Sequence, residues 1–92
     1  MLPVLVGPAS AIKVCTYNLL NFPNDYTERL DDFQMVMNEI DADIVVVQEI
    51  DSWQSANAFR DFILNHYEAN EYVRMPFIGG PNTDNACFYK TA

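Results

Sequence analysis

The chain has 92 residues, 50% of them hydrophobic and 20% charged, with 3 Gly. That balance is globular rather than disordered and leaves room for one domain at most; at this length only about 60–65% of the unfolded surface is buried, so a core has little margin. Thirteen acidic residues against five basic ones give a net charge of -8, which favours solubility, repels polyanions and argues against phosphate-contact binding of nucleic acid by this segment, while remaining compatible with a cation site.

In chain order, residues 1–11 come first, an apolar run (Leu2, Val4, Leu5, Val6) ending in Ala9-Ser10-Ala11. The small-x-small ending has the form of a secretory cleavage site, but no basic segment precedes it. It reads either as the tail of a signal peptide, giving a secreted or periplasmic protein, or as a frayed lead-in to the first strand, in which case a cytoplasmic location stands equally. Nothing reaches transmembrane length. Residues 12–92 read as the N-terminal part of a single domain.

Ile12 to Asn18 is β-branched and aromatic with alternating sides, which predicts a strand. Pro23 and the Asn residues of Asn21–Asp25 break it and prepare a helix start near Tyr26 or Thr27. Leu30, Phe33, Met37 and Ile40 then recur at helical spacing, with Glu28, Asp31, Asp32 and Glu39 facing out. After Asp41–Asp43, the run Ile44-Val45-Val46-Val47 has the pattern of a parallel strand buried on both faces. Strand, helix, strand makes a right-handed βαβ unit.

Ser52 is placed to cap a second helix from about Trp53 to His66, with Trp53, Ala56, Phe59 and Ile63 as its inward stripe. Tyr72–Ile78 and Ala86–Lys90 read as strands of a hairpin around the turn-rich segment 79–85. Cys15 and Cys87 fit neither a zinc cluster nor a disulfide framework and read as small buried side chains. A bridge between them in an oxidising compartment depends on geometry that spacing does not give.

Ligands of open parallel sheets bind beyond the carboxyl ends of the strands. Those ends carry Asn18 and Glu49, an amide oxygen and a carboxylate suited to a small hard cation such as Mg2+ with waters and phosphate completing its shell. The plainer readings are an Asx turn for Asn18, a solvated carboxylate for Glu49, and loop-backbone pairing for Gln48. Asn21, Gln48 and Asp51 lie close enough in sequence to support the pair, although for Asn21 and Asp51 a plain exposed role is the favoured reading.

Lys13-Val14-Cys15-Thr16-Tyr17-Asn18-Leu19-Leu20-Asn21-Phe22, followed by Asp43-Ile44-Val45-Val46-Val47-Gln48-Glu49-Ile50, resembles the two opening motifs of endonuclease/exonuclease/phosphatase enzymes. The stretch Asn82–Lys90 resembles the family's next strand more weakly, and Asn85 in it is the candidate on the substrate side. The resemblance covers about Ile12 to Lys90. It implies an α/β (α+β) fold of βαβ-α-ββ order, part of a four-layer α/β/β/α sandwich whose second sheet is largely missing here. It further implies Mg2+ or Mn2+ held at Asn18 and Glu49, and a phosphate-ester substrate of nucleic acid, phospholipid or nucleotide type.

The resemblance also implies an Asp-x-Asn pair and a terminal Asp-His pair later in the chain, and neither occurs in these residues. His66, the only histidine, reads as a helix-terminal residue favoured by the dipole. No catalytic residue is therefore expected in this segment, which should be inactive alone as the N-terminal part of a phosphoesterase. Two alternatives remain: a non-catalytic α/β binding or interaction module that keeps the scaffold, and an enzyme completed by a partner chain or by self-association. No obligate protein partner is evident from the sequence.

Overall fold

A computed structural model describes residues 11–24, 26–77 and 84–91. Strand β1 (Val14–Phe22) leads into helix α1 (Tyr26–Ile40) and strand β2 (Ile44–Ile50). Helix α2 (Trp53–Phe59) continues into a π-helical turn (Arg60–Leu64), and strands β3 (Tyr72–Arg74) and β4 (Asp84–Lys90) follow. The fold is mixed α+β, with one four-stranded sheet in the order β1-β2-β4-β3. β1 and β2 are parallel, as their helical crossover requires, and β4 runs antiparallel to both of its neighbours.

Both helices share a core with one face of the sheet. Cys15, Leu19, Val45, Val47, Ala86 and Phe88 supply the sheet side, and Phe33, Met37, Ala56, Phe59, Ile63 and Leu64 the helix side. Period-two alternation sends the remaining side chains to the opposite face, where Val14, Thr16 and Tyr89 are exposed and Ile44, Val46, Val73 and Cys87 are half-buried. The β-branched run of β2 is thus covered on one face among the described residues, not on both as its composition suggests.

Four elements differ from expectation in their bounds. β1 begins two residues later than Ile12 and runs on to Phe22, because Phe22 drops into the core and pairs with Ile50 beyond an irregularity. The second helix stops at Leu64, and His66 lies in the following turn. Trp53 is 52% exposed: it opens the first turn of α2, and the buried stripe starts at Ala56. β3 is only three residues long. Of the anticipated hairpin tip at 79–85, residues 79–83 lie outside the described residues, as do Ile78 and nearly all of the apolar segment 1–11, whereas Asp84 and Asn85 belong to β4, which starts two residues earlier than Ala86.

The π turn has a structural counterpart on α1. Gln34 is the one buried polar side chain among the described residues, and its Nε2 donates to the Phe62 carbonyl at 2.8 Å and contacts His66 Nδ1 at 3.1 Å. At the opposite end of the sheet, Lys90 Nζ reaches Asp41 at 2.7 Å, Lys13 Nζ donates to the Ile40 carbonyl at 2.8 Å, and the Tyr72 hydroxyl donates to the Ala42 carbonyl. The α1 C-terminus is thereby fastened to three strands. Burial pushes the Tyr72 phenol up to about 12.

The cysteines point to opposite faces: Cys15 pairs across to Val45, whose β4 partner is Phe88, whereas Cys87 pairs with Val46. Both are free, and burial raises the pKa of each thiol.

Candidate functional site

The carboxyl ends of β1 and β2 are where the regular ladder fails. Asn18 pairs with Gln48 and Phe22 with Ile50, so Leu19, Leu20 and Asn21 stand opposite Glu49 alone. On the other side of β2, Val47 pairs with Ala86 and Ile50 with Asp84, so Gln48 and Glu49 stand opposite Asn85 alone. Glu49 lies in an irregularity shared with both neighbouring strands. Bulges of this kind re-aim side chains and gather beside active sites.

The backbone follows suit. Among the described residues, five non-glycine residues have positive φ: Leu20 (52°), Asn21 (62°), Asp41 (49°), Glu49 (62°) and Asn70 (64°). Asn and Asp tolerate the left-handed region, and Asp41 uses it to end α1. Leu20 and Glu49 have no such tolerance, at roughly 1–2 kcal/mol each. Both lie at this one end of the sheet.

The side chains converge there. Asn18 Nδ2 donates to Glu49 Oε2 at 2.7 Å, and Asn18 Oδ1 accepts from the Leu20 N–H at 2.8 Å. The pair is an exposed contact bridging thirty-one residues of sequence. Asn18 thus locks the bulge of β1 with one end of its amide and holds the carboxylate with the other. Gln48 and Asn85 are brought to the same end by register.

The other two expected neighbours have local duties. The Asn21 carbonyl accepts from Asn24 N–H at 2.8 Å in the turn leading to α1. Asp51 receives the hydroxyls of Ser52 and Ser55, while Ser52 Oγ accepts from Ser55 N–H at 3.2 Å as the α2 N-cap. The Asp51 backbone N–H donates to the Phe22 carbonyl at 3.1 Å, joining the two strand ends.

Glu49 supplies the carboxylate oxygen a hard divalent cation prefers. Asn18 orients that carboxylate through Nδ2, while its Oδ1 accepts one hydrogen bond from Leu20 and keeps a second lone pair. Among the described residues no three His, Cys, Asp or Glu side chains cluster; a cation held at Glu49 would draw the rest of its shell from waters and substrate oxygens.

Comparison with known protein families, characterised proteins and solved structures finds no match. No helix among the described residues is long and apolar enough to cross a membrane.

The sequence motifs signal Asn18 and Glu49, but nothing in them signals the left-handed backbone of Glu49, since glutamate has no preference for it. Leu20 was missed as well, because a leucine beside a strand end reads as core.

Proposed function

We propose that this chain carries the metal-holding part of a Mg2+-dependent phosphoesterase of the endonuclease/exonuclease/phosphatase type, inactive without further residues. The observation that carries the reading is the Asn18–Glu49 hydrogen bond, made across paired bulges by a glutamate in a conformation glutamates avoid. Strain of this kind persists where the surroundings over-determine it, and it clusters at functional sites. Sequence motif and backbone strain select the same residue independently.

Glu49 would hold Mg2+ or Mn2+, which when bound supplies positive charge to polarise a phosphoryl oxygen. Asn18 keeps the carboxylate in place, and Gln48 and Asn85 offer amides on the side where a phosphate ester would lie. The Asp-His pair that the family resemblance implies as activator of water does not occur in these residues, so the general-base contribution to hydrolysis would be lacking. The open sheet face supports the four-layer arrangement: Val14, Val46, Val73 and Tyr89 form an uncharged surface of the sort a second sheet covers. That same face favours the second reading, an interaction module whose partner lies on it.

Calorimetric titration of inorganic phosphate, with and without Mg2+, tests the proposal. Binding heat that requires Mg2+ and vanishes in Glu49→Gln is the expected result. Phosphate binding that ignores Mg2+, or no binding at all, would favour the interaction module.

A further inference from the structure

Leu20 presents a contradiction in energetic terms. Its backbone is left-handed, with φ 52°, a conformation that costs a bulky residue roughly 1–2 kcal/mol. Burial of the side chain would offset that cost, yet Leu20 is 64% exposed. Its neighbours behave conventionally: Leu19 and Phe22 are fully buried, and Asn21 tolerates its own positive φ. Gly or Asn at position 20 would relieve the strain without losing core contacts.

The position matters as much as the strain. Leu20 N–H holds the oxygen of Asn18, whose amide nitrogen holds Glu49. The bulge that lifts Leu20 into solvent is therefore the one that sets the carboxylate. Trp53, two residues in sequence beyond the Asp51–Phe22 backbone link, is another large apolar side chain that is exposed.

We infer that Leu20 is a specificity-determining residue, making an apolar contact with the alcohol portion of a phosphate ester bound at Glu49. The inference rests on the phosphoesterase reading and adds the substrate class: esters whose alcohol bears an apolar substituent, aliphatic or aromatic, in preference to polar ones such as glycerol phosphate. An exposed leucine that becomes covered by substrate recovers on binding what folding left unrecovered. The net charge of -8 agrees, since it disfavours a polyanionic substrate held mainly by phosphate contacts.

The test uses the chain with Mg2+ and three probes: phenyl phosphate, butyl phosphate and glycerol phosphate. Trp53 is the only tryptophan, so its fluorescence reports on this end of the sheet, and calorimetry gives affinities. Wild type should bind the phenyl or butyl ester about tenfold more tightly than glycerol phosphate, the order expected for covering one leucine side chain. Leu20→Gly should erase that preference, read as the ratio of apolar-ester to glycerol phosphate affinity, and melt no lower than wild type. Preference for the phenyl ester alone would identify an aromatic substituent, and for the butyl ester alone an aliphatic one.

Equal affinity of wild type for all three esters overturns the inference and leaves the phosphoesterase reading standing. So does equal weakening of all three in Leu20→Gly, which would mark Leu20 as merely structural. If no ester binds although phosphate heat persists, the inference alone fails. If phosphate heat is absent too, both fail.

Discussion

Phe59 should be the most costly side chain to truncate. It is fully buried, and its ring centroid lies 5.6 Å from Phe22, 6.0 Å from Phe33 and 5.6 Å from Phe88, so one side chain joins β1, α1 and β4 to the second helix. Replacing a buried Phe by Ala removes transfer energy and leaves a cavity, together about 3–5 kcal/mol. At about 0.05–0.15 kcal/mol per residue, a chain of 92 residues has roughly 5–14 kcal/mol in all, and its small size favours the lower half. Phe59→Ala should therefore remove about half the stability and lower Tm by roughly 12–40 °C. Phe62, three residues on and 57% exposed, is the control, with an expected change within about 0.5 kcal/mol. Urea denaturation followed by far-ultraviolet circular dichroism gives both values. Equal losses in the two variants would refute the placement of the helix layer.

Further predictions concern the polar fastenings. Gln34→Met keeps the volume but leaves the Phe62 carbonyl without its donor, which should cost about 1–3 kcal/mol; a urea midpoint indistinguishable from wild type would contradict this role. Ser52→Ala removes the acceptor for Ser55 N–H and should cost about 1 kcal/mol, read from the same denaturation curves. Because the Tyr72 phenol is raised from 10.0 to about 12 in the fold, stability is fully present below the unfolded value and is lost as pH rises through that window, by about 2–3 kcal/mol. The Tyr72→Phe variant should be less stable at neutral pH, lacking the bond to Ala42, but should lose less of its remaining stability over that alkaline range. Parallel pH profiles for the two proteins would contradict the burial of the phenol.

The elements that local pattern determines were legible in the sequence. The helical spacing of Leu30, Phe33, Met37 and Ile40 gave α1, and Ser52 marked the α2 N-terminus it caps. What long-range pairing determines was not. β1 continues to Phe22 only because Phe22 meets Ile50 and the aromatic core, a contact that no local propensity contains. Trp53 looked inward because periodicity was extended one turn too far, and the one-sided burial of β2 depends on what covers the other face. The approach of Asn18 to Glu49 followed from parallel strand order, whereas the bulges that aim them arise from register.

The central claim, that Glu49 and Asn18 form a cation-holding corner, is tested most directly by titrating the chain with Mn2+ and following paramagnetic broadening of assigned backbone amide resonances by nuclear magnetic resonance. The account predicts broadening confined at first to Asn18–Asn21, Gln48–Ile50 and Asn85, displaced by excess Mg2+, and absent in Glu49→Gln, which keeps an acceptor for Asn18 without the charge. Broadening centred instead on the exposed acidic face of α1, or unchanged in Glu49→Gln, would contradict it.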